Sequence, residues 1–304
     1  MSAWWEDLRR QPFEEQLRQV RGRVPYSTAA WFHHLQRLGQ EEGRADRRRG
    51  VGLATLALEC LEFARSSIPP AEHTRLLAKA WLLLGNAQRL ALDYAAAEEA
   101  FANADVLLGD VSAPAELRAE LAWLRYELRR FQRRFAEALV HAEKAVAISE
   151  GNTALLAQAL LRRGGAWWHL QRFERAAADY RAAADEPTLA ENPFLHCTAL
   201  QGLADALIQQ GAYTEARPPL EQAKRLATQL DDRASIFHTR WVEGLLATRC
   251  NDPETGEKHL QAAREGFRAL GDLGHFAVIS LDLAEVLAAT LHHFPKVVQV
   301  CSPK

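Results

Sequence analysis

From about Ala71 onward, apolar residues recur at spacings of three and four over segments of 15 to 20 residues, a pattern that predicts amphipathic helices. Short polar breaks separate the segments. Gly109 to Pro114, Gly151-Asn152, Glu186-Pro187 with Asn192-Pro193, Asp231-Asp232, Asn251-Asp252-Pro253 and Gly271-Asp272 each join helix terminators to an N-cap residue or a first-turn proline. The expected result is a series of antiparallel helices joined by short loops. Upstream, Trp4 to Arg21 with a break at Pro12, Ser27 to Gln40 and Arg47 to Arg65 are predicted helices, capped by Ser27 or Thr28 and by Asp46.

Aligned on themselves, the segments fall into frames that begin at Ala78, Ala119, Ala157, Cys197, Phe237 and Val278, with steps of 41, 38, 40, 40 and 41 residues. Position 27 of the first five frames is alanine throughout: Ala104, Ala145, Ala183, Ala223 and Ala263. Position 20 is Ala97, Ala138, Ala176, Ala216 and Gly256, while position 24 carries Phe101, Ala142, Tyr180, Leu220 and Leu260. Small residues let helices approach, and the larger ones fill the space between them. A repeat array of this kind grows along one axis and needs covered ends. Residues 1–70 are therefore expected to be a helical capping module, possibly with one divergent repeat, and 71–304 five repeats plus an incomplete sixth.

The first frame resembles the tetratricopeptide repeat family, whose pattern is W-x2-L-G-x2-Y followed by A-x3-F-x2-A. Trp81, Leu84 and Gly85 precede Ala97, Phe101 and Ala104, and Gln88 stands at the Tyr position. The third frame keeps Gly164, Phe173, Ala176, Tyr180 and Ala183. The family period is about 34 residues, so the repeats here resemble the long-period, bacterial type. The resemblance implies an all-α fold, a right-handed superhelical solenoid of antiparallel helix pairs, in which the first helix of each pair lines a concave binding face.

On that face the resemblance places Asn86, Arg89, Trp123, Glu127, Arg130, Arg162, Trp168, Gln201, Asp205 and Trp241 as candidate groove residues. Trp offers a large contact area at low entropic cost, and Arg forks and carboxylates can grip a peptide. Asn86 falls where the family often carries an Asn that bonds a bound peptide, and Arg162 matches one Arg of the family's carboxylate clamp. Leu82, Leu124 and Gln158 replace the clamp's other members, which argues against recognition of an acidic C-terminus.

Composition adds mainly exclusions. Of 304 residues 54 are alanine, which favours helix. The 37 basic and 39 acidic residues are interspersed, so no basic field marks a nucleic-acid surface. Cys60, Cys197, Cys250 and Cys301 are far apart, which suits a reducing cytoplasm and gives no zinc pattern. The adjacent pairs His33-His34 and His292-His293 point apart on a helix, and no metal or cofactor is expected. His196-Cys197 is the one pair with any nucleophilic character, and a helical interior contact explains it more simply. No apolar stretch is long enough for a membrane.

The chain thus reads as a cytoplasmic, non-enzymatic scaffold that binds a protein or peptide. The alternative is a peptide-sensing regulatory domain acting on a separate transcriptional regulator. A break at Phe294-Pro295 should cut the last repeat short, leaving Val297, Val298 and Val300 at an apolar edge where a homodimer could form.

Overall fold

A computed structural model describes residues 7–22, 29–43, 46–63, 65, 68–109 and 113–300, with the side chains of residues 21, 22, 29, 40, 63 and 289–300 outside the description. Fifteen α-helices and no strand occur among the described residues. They fall into two units, Met1–Ser149 and Glu150–Lys304.

The first unit contains α1 (Phe13–Gly22), α2 (Ala29–Glu42), α3 (Arg47–Phe63), α4 (Pro70–Leu90), α5 (Tyr94–Leu108), α6 (Ala115–Phe131) and α7 (Phe135–Ile148). The expected cap at Asp46 is present, its carboxylate accepting from the Arg48 and Arg49 amides at 2.9 and 3.2 Å. Ser27 and Thr28 lie outside the described residues. Leu8, Phe32, Leu35, Leu53, Leu56 and Leu61 form one core with Leu76, Ala80 and Leu84 of α4. The N-terminal helices therefore pack against the apolar flank of α4.

Within that repeat, α4 and α5 approach closely because Gly85 faces Phe101. A Cβ at position 85 would lie 2.5 Å from the Phe101 ring, which is itself fully buried. Ala97, Ala104, Leu82, Leu121 and Leu128 complete the second core of this unit. Lys79 and Glu120, both at position 2 of their frames, tie α4 to α6 by an ion pair at 2.6 Å.

The second unit contains α8 (Thr153–His169), α9 (Phe173–Ala184), α10 (Pro187–Ala190), α11 (Pro193–Gln209), α12 (Tyr213–Gln229), α13 (Arg233–Arg249), α14 (Pro253–Ala269) and α15 (Leu273–Val300). Asn152, Asn192, Asp232 and Asp252 cap α8, α11, α13 and α14 through their side chains, at the breaks read from the sequence. Tyr180 of α9 wedges between two glycines, with Gly164 of α8 on one side and Gly202 of α11 on the other. Arg163 of α8 grips Asp179 of α9 with two hydrogen bonds at 2.8 and 2.7 Å, which neutralises a buried carboxylate.

The expected break at Phe294-Pro295 is absent. The helix that begins at Leu273 continues to Val300, so the last frame has one long helix in place of a second short one. The side chains of Val297, Val298 and Val300, on which the dimer expectation rests, lie outside the description. No described helix is long and apolar enough to cross a membrane.

Candidate functional site

The candidate residues sit on the first helix of successive repeats, and six of the ten recur at two positions. Asn86, Glu127 and Asp205 occupy position 9 of their frames, and Arg89, Arg130 and Trp168 occupy position 12. Residues three apart on a helix share a face. In the first unit the pairing stays within each helix. Arg89 donates to Asn86 Oδ1 at 2.7 and 3.2 Å, and Arg130 donates to Glu127 Oε2 at 2.7 and 3.1 Å.

Both guanidinium groups also stack on Phe131, with 4.9 and 4.7 Å from carbon to ring centroid. Asn86, Arg89, Glu127, Arg130 and Phe131 thus form one cluster at the ends of α4 and α6. Burial pulls the Arg89 pKa below its ordinary value, while the Glu127 carboxylate acts in the opposite direction. Asn86 also lines a cavity of about 440 Å³ between α2, α3 and α4, whose apolar walls include Leu35, Ala54, Leu83 and Leu90. Trp123 lies partly buried against the core of α4, α5 and α6.

In the second unit the stripe is built differently. Position 12 after Asp205 is Ile208, so no arginine follows the acid one turn on. Asp205 accepts a hydrogen bond from Gln209 at 3.2 Å. The residue keeps partial exposure, but its carboxyl group sits deep among protein atoms. Burial, with the charge of Asp282 adding to it, pushes its pKa up to about 6, against stabilising contributions from Gln209 and Trp168. The Trp168 indole N–H is buried beside this carboxylate without reaching full hydrogen-bond geometry.

Trp241 does make its bond, donating from Nε1 to Asp282 Oδ2 at 2.7 Å. Burial raises the Asp282 pKa as well, with Glu285 adding to the rise, while the Trp241 bond and Arg249 work against it. Around Trp241 lies an aromatic group: His238 at 5.3 Å and His275 at 6.0 Å between centroids, with His275 stacked on Phe267 at 4.5 Å. Burial drives the His238 pKa down to about 4, which leaves a neutral ring at physiological pH.

Two sequence candidates fare differently. Gln201 is only 4% exposed, and its amide nitrogen donates to Ser235 O and Thr239 Oγ1, both at 2.9 Å, so it joins α11 to α13. Arg162 donates to Gln158 O at 2.8 Å within α8. The sequence reading missed Asp282 and His238. Asp282 stands at position 5, the same position as Trp123 and Trp241, so the repeat register could have found it.

The reactive-group candidates are quiet. Cys197 is fully buried, and its Sγ donates to Ala223 O at 3.4 Å; burial lifts its pKa to about 11 and that of Cys60 to about 12. Among the described residues no three His, Cys, Asp or Glu side chains converge as a metal site.

No family model matches the chain, and no curated protein matches it in sequence. Solved structures do share its architecture. BtubC (BKLC) from P. vanneervenii superposes with a TM-score of 0.62 at 17% identity, over 74% of this chain and 92% of that one. Aspartyl phosphate phosphatase F from Bacillus subtilis gives 0.54 at 14% identity, over 84% and 77%. A Rap protein complexed with competence and sporulation factor gives 0.50 at 16% identity, over 92% and 81%. At such identities the likeness speaks for architecture, and the chain has the fold of the tetratricopeptide-like helical repeat proteins.

Proposed function

We infer that the protein binds a peptide segment of a partner along the first-helix face of its repeats, and that it acts by holding this ligand without turning it over. The observation that carries the reading is the Trp168–Asp205 pair. It sets an indole and a carboxylate side by side on the first helices of neighbouring repeats, the combination of aromatic area and charge with which a groove grips a peptide. The thiols Cys60 and Cys197 are buried with raised pKa values and are poor nucleophiles. One structural neighbour is named a phosphatase, so the fold alone does not separate the two activities.

A second reading, peptide sensing on behalf of a separate transcriptional regulator, draws support from the Rap neighbour in complex with competence and sporulation factor. It uses the same face and adds an output to the binding step.

Selection of displayed random peptides on the full chain, followed by titration of tryptophan emission, tests the reading. Enriched peptides are expected to bind saturably at micromolar levels, and Trp168→Ala, checked for fold by circular dichroism, should weaken them by about tenfold, as loss of an aromatic anchor does. Failure to enrich any saturable peptide would refute the reading, as would a peptide that binds Trp168→Ala and Arg89→Ala as well as the parent chain.

A further inference from the structure

The cavity between α2, α3 and α4 owes its shape to missing side chains. Gly43, just past α2, and Gly50 of α3 bring two backbones together, since a Cβ added to either would stand 3.1 or 3.0 Å from the Cα of the other. With Gly39, these residues leave part of the lining bare. The volume of about 440 Å³ falls within the range of about 300–1,000 Å³ typical of small-molecule sites. The rest of the lining divides into an apolar part, with Leu35, Ala54, Leu83 and Leu90, and three polar residues, Gln36, Arg47 and Asn86. None of the lining residues is acidic.

The polar three offer donors. Asn86 Oδ1 is taken by Arg89, which leaves the Nδ2 group to donate. Among the described residues no side-chain hydrogen bond or ion pair engages Gln36 or the Arg47 guanidinium. Arg47 opens α3 and is followed by Arg48 and Arg49, so three cations crowd the positive end of a 17-residue helix. Glu42 pairs with Arg49 and Asp46 caps the helix amides, and neither acid lines the cavity. An anion at Arg47 would relieve that crowding.

We propose that this cavity binds a free amphiphilic carboxylate, with its acid group at Arg47 and its aliphatic chain among the apolar walls. One cation and two neutral amides match a single negative charge, whereas a phosphate would call for more. The site belongs to the N-terminal helices and α4, apart from the Trp168–Asp205 pair, and it does not depend on the peptide-binding reading.

Titration calorimetry on the full chain tests the assignment, with decanoate, decanol and decylamine as probes. Decanoate is expected to saturate at one molecule per chain. Decanol should bind about fivefold more weakly, as one partly exposed ionic contact allows, and decylamine weakest. Arg47→Gln should bring decanoate and decanol within about twofold of each other. Ala87→Leu adds bulk to the half-buried lining and should remove binding of both, with the fold checked by circular dichroism. Arg47 is exposed, so its variant decides the question even if Ala87→Leu does not fold. Non-saturating uptake of decanoate, equal binding of decanoate and decanol by the parent chain, or a folded Ala87→Leu variant that binds as before overturns the site. A short peptide with a free C-terminal leucine offers the same chemistry from another source, and tighter binding of that peptide than of decanoate overturns the assignment to a free acid.

Discussion

Replacing Asp205 with asparagine removes a buried charge and keeps the acceptor for Gln209. In the folded chain the Asp205 pKa stands at about 6 against an ordinary value of 3.8, and burial is the main cause. The sign follows from which form is disfavoured. Above pH 6 the group is ionised in both the folded and unfolded chain, and folding bears the full cost of enclosing the charge. Well below the ordinary value, by about pH 3, it is protonated in both states and the cost vanishes. The gap between 3.8 and 6 corresponds to about 3 kcal/mol. Burying the asparagine amide takes back part of this, so the variant should be more stable than the parent by about 2 kcal/mol at pH 8. Urea unfolding followed by tryptophan emission is the assay. With a slope of about 1–3 kcal/mol per molar urea, the midpoint should rise by about 1 M at pH 8 and by nothing at pH 3. Equal midpoints at pH 8, or an advantage that persists at pH 3, would refute the account of Asp205 as an uncompensated buried acid.

Two further outcomes follow from packing and burial. Gly85→Ala gains about 1 kcal/mol in helix propensity, but it drives a methyl group to 2.5 Å from the fully buried Phe101 ring. Overpacking of this kind costs about 1–3 kcal/mol, so a lower melting temperature is expected, and an unchanged or higher one would show that α4 and α5 part easily. In a Cys301→Ser background at pH 8, an aromatic disulfide reagent should label exposed Cys250 in the native chain and reach Cys60 and Cys197 only after unfolding. Rapid native labelling of two or three thiols would contradict the burial described.

The helix starts were legible because they are local. Asn152, Asn192, Asp232 and Asp252 each accept a bond from an amide three residues on, and that chemistry is written in four consecutive letters. Other turns gave no such sign. Leu92, Arg133 and Gln171 take left-handed backbone conformations, with φ between 58 and 66°, at turns where a glycine or asparagine would have announced them. Backbone hydrogen bonds close these turns, from Leu92 N to Arg89 O, Arg133 N to Arg130 O and Gln171 N to Trp168 O at 2.9 to 3.1 Å. Repeat register placed Trp168, Asp205 and Trp241 on one helix series, yet it could not tell a groove residue from a strut. Gln201 shows why: its neighbours Ser235 and Thr239 come from the next helix pair, and only the folded chain brings them within reach. α15 likewise continues through Pro295, where the sequence carries a local breaker signal.

Repeat proteins are often treated as strings of interchangeable modules, each one open to loss, gain or shuffling. The Tyr180 ring limits that freedom. It needs an absent side chain on both neighbours, Gly164 in its own repeat and Gly202 in the next, and neither vacancy has a use without the ring. The three positions form a lock that only a concerted change can alter. A duplication or deletion that cuts between residues 164 and 202 separates parts that were fitted together. The pair of repeats that carries Trp168 and Asp205 keeps this packing only if it stays together.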